Sequence, residues 1–111
     1  MGQGEHLGEL EALVLTAVIR VGQMANGKAV YQELEEQAGR EASLPAVHEA
    51  LRRLEDKGLL VSNVGEPSPR GGRPRRFYRP TPDGVRALRD FRAMWRNVWQ
   101  GLELPDPETL R

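Results

Sequence analysis

Cysteine is absent from this chain of 111 residues. Its absence removes disulfides, thiolate metal sites and cysteine nucleophiles, and it suits a reducing compartment. Long hydrophobic runs are missing too, since no stretch approaches the roughly 18 apolar residues that a membrane span needs. The opening Met1-Gly2-Gln3-Gly4-Glu5-His6 lacks the basic-then-apolar order of a secretion signal. These absences predict a cytoplasmic protein with no membrane partner. Enzyme chemistry finds little support: there is no Gly-rich phosphate loop and no Ser-His-Asp spacing, and the carboxylates are scattered over polar positions. Gly71-Gly72 lacks the preceding buried strand and following helix of a nucleotide site. No catalytic residue and no cofactor are expected. A hydrophobic content of 39% with 29% charged residues suits one ordinary globular domain.

Net charge is also lacking, at +0, whereas nucleic-acid-binding domains usually carry a basic excess. The average hides an asymmetry. Residues 1–51 hold eight acidic and three basic side chains and residues 52–111 hold eight acidic and thirteen basic, so the two parts stand at −5 and +5. What matters for a polyanionic partner is where the positive charge lies.

Four helical patterns and one hairpin run along the chain. From Leu7 to Val21, the residues Leu10, Leu13, Val14, Ala17, Val18 and Val21 recur at three- and four-residue spacings, and Leu15 and Ile19 widen the stripe. So broad a face implies burial on more than one side, either in the core or against a partner subunit. Gly22 closes this helix. Asn26-Gly27 is a turn signal before a second helix with Ala29, Val30, Leu34 and Ala38 on one face, ending at Gly39. Ser43 then reads as an N-cap, with Pro45 in the first turn and Val47, Ala50, Leu51 and Leu54 as the buried side of a third helix that stops at Gly58. Leu59 to Val64 and Phe77 to Arg79 read as strands around a Gly/Pro-rich loop. Thr81-Pro82-Asp83 opens a fourth helix whose apolar positions Val85, Leu88, Phe91, Trp95, Val98 and Leu102 continue for about five turns. The tail around Pro105-Asp106-Pro107 is expected to be frayed or extended.

That order predicts a mainly α protein with a small β-hairpin (α+β): a winged helix-turn-helix with an added N-terminal helix and a C-terminal dimerisation helix. The expected parts are a DNA-binding domain over 1–80 with its wing at about 65–76, the dimerisation helix over 81–104 and a flexible tail over 105–111. The third helix would enter the major groove of double-stranded DNA, presenting Ser43, Ala46, His48, Glu49, Arg52 and Arg53 away from its apolar stripe. For Arg52 and for Arg53 a surface salt bridge with Glu49 or Asp56 competes with a DNA contact. His48 stays open between a base contact, a pH-sensitive group and a partly buried filler; a metal site would need carboxylates the sequence does not place. In the wing, Arg70, Arg73, Arg75 and Arg76, with Arg79 beyond, stand among glycines and without an acidic residue from Pro67 to Pro82. Arginine's planar fork suits phosphates and a narrow minor groove; the competing reading is a solvated basic loop. Homodimerisation is expected through Leu10 and Val14 of the first helix and Leu88, Phe91, Trp95, Val98, Trp99 and Leu102 of the last, because a small core covers only the start of that helix.

The strings Ala50-Leu51-Arg52-Arg53-Leu54-Glu55-Asp56-Lys57-Gly58-Leu59-Leu60, Gly71-Gly72-Arg73-Pro74-Arg75-Arg76-Phe77-Tyr78-Arg79 and Thr81-Pro82-Asp83-Gly84 resemble the PadR family of transcriptional regulators. Leu7 to Leu15 resembles the first helix of that family, so the likeness spans nearly the whole chain. A single short helix after the wing resembles the small-size subgroup, whose first and last helices build the homodimer. The resemblance implies a bacterial repressor on a palindromic operator, released by a small hydrophobic or aromatic effector, with Trp95 and Trp99 as walls of the effector site or as plain interface packing. Two departures stand out: Asn26 replaces a common tyrosine, and Ala46-Val47-His48-Glu49 replaces Thr-Leu-Tyr-Pro in the recognition helix. Glu49 there either reads a cytosine amino group or weakens binding. A winged-helix module that binds protein and lacks specific DNA binding is the alternative function.

Overall fold

The computed structural model describes residues 6–39, 42–66, 71 and 74–111. Helix α1 (Glu9–Val21) starts where the Gly8 N–H donates to the Glu11 carboxylate at 3.1 Å, and it stops at Gly22, whose φ of 82° favours glycine. A single 3₁₀ turn (Gly22–Met24) leads into α2 (Gly27–Ala38). Asn26 proves to be more than a turn residue. Its side chain accepts from the Ala29 N–H at 2.9 Å and caps α2, and it is almost fully buried.

Helix α3 (Leu44–Asp56) is capped by Ser43, whose Oγ accepts from the Ala46 N–H at 3.2 Å. At its other end, Leu59 N–H donates to Leu54 at 2.9 Å and Gly58 N–H to Glu55 at 3.0 Å, the two crossed bonds of a Schellman close. The chain emerges directly into β1 (Leu60–Val64), which pairs antiparallel with β2 (Arg76–Pro80) so that Ser62 faces Tyr78. Gly65 N–H donates to Arg75 at 2.7 Å and extends the ladder toward the loop. The Tyr78 N–H donates to Ala25 at 2.9 Å, which ties the hairpin to the turn between α1 and α2.

Helix α4 (Pro82–Trp99) is capped by Thr81, whose Oγ1 accepts from Gly84 at 3.0 Å and donates to the Gly58 carbonyl at 2.7 Å. One hydroxyl therefore starts α4 and fixes it to the end of α3. Gly84 lies against the Leu59 carbonyl so closely that a Cβ there would overlap it.

The core gathers Val14, Leu15, Ala17 and Val18 of α1, Val30 and Leu34 of α2, Val47, Ala50, Leu51 and Leu54 of α3, and Leu59 and Leu60 at the strand entry. The stripes predicted for α1, α2 and α3 thus meet in one cluster. Val14, expected at a subunit contact, is 0% exposed within the protomer, so it has no surface left for a partner. The breadth of the α1 stripe arises because α2, α3, β2 and α4 all pack on that helix. Leu10 is only half-buried at the edge of the core.

Beyond Gly84, α4 leaves the core: Ala87 and Leu88 pack on its margin, while Val98 and Trp99 are 61% and 56% exposed. The helix ends at Trp99 and not at Leu102, because Gly101 turns the backbone at a φ of 77°. Pro107–Thr109 forms a 3₁₀ turn capped by Asp106, whose Oδ1 accepts from the Glu108 N–H at 3.0 Å. Among the described residues no helix is long and apolar enough to cross a membrane.

Candidate nucleic-acid interface

Helical spacing decides which α3 side chains are free. With Val47, Ala50, Leu51 and Leu54 turned inward, Pro45, Glu49, Arg52 and Asp56 form the line opposite the core, all exposed. Arg52 ion-pairs through one terminal nitrogen with Glu49, a turn before it, and through the other with Asp56, a turn after it, at 3.3 Å. The hydrogen bond and charge of Glu49, with a smaller contribution from Asp56, raise the pKa of this guanidinium further. His48 is exposed, and its ring lies over Gly27, where a Cβ would strike it. That contact seats the α3 N-terminal turn on the start of α2. Ser43 is exposed but occupied as the cap, and Ala46 is half-buried beside it.

Arg53 sits on the flank facing α1 and does not pair with Glu49 or Asp56. Its Nε donates to Glu11 at 2.9 Å, and Lys57 Nζ donates to the other oxygen of the same carboxylate at 2.7 Å and to the His6 carbonyl at 2.6 Å. Burial by itself would raise the Glu11 pKa, but hydrogen bonds from Lys57, the Gly8 amide and Arg53, with the Lys57 charge, hold it below the ordinary glutamate value. Glu11 was not among the predicted residues. The signal was there: Glu11 shares its helix face with Val14, Leu15 and Val18, and a carboxylate on an apolar stripe must find cations.

The hairpin is tied to α3 on the opposite flank. Ser62 Oγ donates to Glu55 at 2.7 Å and accepts from Arg76 Nη1 at 3.0 Å, so Arg76 at the base of the wing is joined to the recognition helix. Burial and the Glu55 charge push the pKa of the neighbouring Tyr78 upward, and its hydroxyl stays neutral. Arg75 and Arg79 are exposed. Arg70 and Arg73 lie outside the described residues. Together α3 and the hairpin bring Arg52, Arg75 and Arg76 onto elements that are fixed to one another.

The residues expected at a subunit contact run along α4. Phe91 and Trp95 meet edge-to-face at 6.0 Å, and Trp95 and Trp99 lie 4.7 Å apart. Leu88 and Phe91 are half-buried, whereas Trp95, Val98, Trp99 and Leu102 are exposed. A groove of about 690 Å³ opens at the foot of this helix, with Leu7, Leu59, Phe91 and Met94 among its walls; neither tryptophan lines it.

A helix, turn and second helix followed at once by a hairpin whose loop carries arginines is a winged helix-turn-helix, the fold of DNA-binding regulators. A model of the PadR-like family of transcriptional regulators matches residues 14–90. The chain belongs to that family, which comprises transcription regulators and not enzymes. It is similar to a PadR family transcriptional regulator from Eggerthella lenta, at 32% identity over 81% of this chain and 77% of that one, with a TM-score of 0.66. It also resembles Bacillus subtilis PadR, solved in complex with operator DNA, at 21% identity, 93% of this chain, 52% of that one and a TM-score of 0.64. A third likeness is F93 from STIV, a winged-helix DNA-binding protein, at 14% identity, 83% and 92% coverage and a TM-score of 0.64. No curated protein matches the chain.

Proposed function

We propose that this regulator is a repressor that binds a palindromic operator in double-stranded DNA as a homodimer and leaves it when a small hydrophobic or aromatic effector binds. The observation that carries the reading is that the wing is joined to α3 by Ser62 with Glu55 and Arg76, while α3 is fixed to α1 by Glu11 with Arg53 and Lys57. A reading head so fixed keeps its register on a duplex. Arg52 and Glu49, with Ser43, Ala46 and His48 nearby, face the major groove, Arg53 stands at its edge, and Arg70, Arg73, Arg75 and Arg76 meet flanking phosphates or the minor groove. The apolar face of α4 from Leu88 through Trp99, with Leu102 just beyond the helix and Leu10 of α1, forms the subunit contact. Two-fold symmetry then sets the recognition helices about one DNA turn apart, roughly 34 Å. Trp95 and Trp99 give the effector a planar apolar wall once two subunits meet.

The test is site selection from a randomised duplex library, followed by gel shifts in the presence of planar aromatic compounds. Recovery of inverted repeats with half-sites about one turn apart, released by at least one such compound, supports the reading. Equal binding to every duplex would reduce the protein to a non-specific binder or a protein-interaction module.

A further inference from the structure

The outward line of α3 contains one cation between two anions. Arg52 is the only basic residue among Pro45, Glu49, Arg52 and Asp56, and both carboxylates hold it, one on each terminal nitrogen. The three charged groups sum to one negative charge. A face of that sign meets repulsion in a groove flanked by phosphates, so whatever general affinity the protein has must come from elsewhere. The wing supplies arginine; this face supplies something different.

The geometry of the trio says what. A guanidinium has five N–H donors. With one hydrogen on each terminal nitrogen given to Glu49 and Asp56, three donors remain, and two of them can reach O6 and N7 of a guanine in the usual fork. The two ion pairs therefore need not break on binding; they hold the fork's plane. Side-chain freedom that would otherwise be lost at the interface is already restricted in the free protein. Adenine presents an amino donor beside its N7, which opposes the fork and leaves a carboxylate-flanked arginine without its second acceptor.

We propose that Glu49, Arg52 and Asp56 form a guanine filter, in which Arg52 reads one guanine per half-site while the two carboxylates fix its fork and repel duplexes that lack that guanine. The filter rests on the DNA-binding reading above and adds a sequence requirement to it. Glu49 and Asp56 are positioning residues, because they act through Arg52. The exposure of all three separates their role from stability, and substitutions here leave the core intact.

The experiment uses the full chain, a randomised duplex library, and anisotropy titrations of the selected duplex and of a random-sequence duplex of equal length. Wild type is expected to enrich one fixed G·C pair in each half-site, with guanine-to-adenine exchange losing roughly tenfold or more in affinity. Glu49→Gln with Asp56→Asn is expected to tighten binding to the random duplex several-fold and to shrink the selected-to-random ratio about tenfold, since repulsion is relieved and the fork is released. Arg52→Gln is expected to lose the guanine preference, because an amide sets an acceptor beside its donor and matches adenine, not guanine. A double variant with the wild-type ratio, or an Arg52→Gln protein that still demands guanine, would overturn the filter and leave the DNA-binding reading standing. Wild type that enriched nothing over the input pool would overturn the DNA-binding reading and the filter with it.

Discussion

Glu11 on α1 and Lys57 at the end of α3 meet at 2.7 Å, with Arg53 on the second carboxylate oxygen at 2.9 Å. The Glu11 side chain is only 8% exposed, whereas Arg53 keeps 42% of its side-chain surface in water. The anion is thus the committed partner and the cations are partly hydrated. These contacts fix the angle between α1 and α3.

This arrangement predicts a specific acid sensitivity. The folded pKa of Glu11 is lowered, so its contribution is fully present above the ordinary glutamate value of about 4.3 and is lost as pH falls through the lower folded value. Glu11→Gln should cost about 1–3 kcal/mol near neutrality, the cost of hydrogen bonds lost by a buried group whose partners can still reach water. The variant and wild type should converge only once the pH lies below that lowered folded value. Denaturant unfolding at neutral and acid pH measures both points; a constant gap at all pH values would show that Glu11 acts by shape and not by charge.

Gly84 gives a second prediction. Its Cα passes over the Leu59 carbonyl with no room for a methyl group. In an exposed helix, Gly→Ala would stabilise; here Gly84→Ala should destabilise by about 1–3 kcal/mol, because α4 must shift off the strand entry that it caps. Thermal unfolding checks the sign. A raised Tm would mean that α4 slides without penalty.

How much of this was legible beforehand depends on the range of the physics involved. Ser43, Thr81 and Gly58 declared their capping roles because a cap is decided within four or five residues. The inward face of α3 was equally plain from the three- and four-residue spacing of Val47, Ala50, Leu51 and Leu54. Glu11 was passed over because its partners Arg53 and Lys57 lie more than forty positions away, and apolar periodicity carries no information about them. Val14 was misplaced for a related reason. A stripe says that a side chain is buried but not against what, and here four elements of the same protomer cover it. Leu102 continues the spacing of α4, yet Gly101 ends the helix first. Arg53 showed that two carboxylates at helical spacing do not win when a buried one is available.

The wing prediction separates two arginines that look alike in sequence. Arg75 is exposed with no ion pair among the described residues, whereas Arg76 donates to Ser62. Arg75→Ala should lower the slope of log affinity against log salt by nearly one unit, about 0.9 per lost phosphate contact, and leave stability unchanged. Arg76→Ala should also loosen the hairpin from α3, weakening the selected site more than random DNA. The triple exchange of Arg73, Arg75 and Arg76 to alanine should flatten the slope by up to roughly three units. Titrations at several salt concentrations decide it, and an unchanged slope in the triple variant would remove the wing from the interface.

The last prediction concerns α4. Trp95, Val98 and Trp99 are 36%, 61% and 56% exposed in the protomer, in line along the side of the helix that continues from the core margin at Leu88. Fully burying side chains of this kind is worth about 1.5–3 kcal/mol each, so a lone protomer forgoes several such contributions and carries a sticky stripe. A second copy related by a two-fold axis covers the stripe with the same stripe. Light scattering should therefore give a mass near twice the 12.4 kDa of one chain. Trp95→Arg places a charge at the centre of that contact and should yield monomers. Residue 95 lies outside the buried core cluster, so circular dichroism of the variant should still report four folded helices. Binding to the palindrome should fall to the level of a single half-site although residue 95 touches no DNA. Trp95→Phe, which keeps an aromatic face, should restore both mass and affinity. A Trp95→Arg protein that remained dimeric would move the subunit contact away from α4, and a monomer that held the palindrome at wild-type affinity would remove the need for a dimer at all.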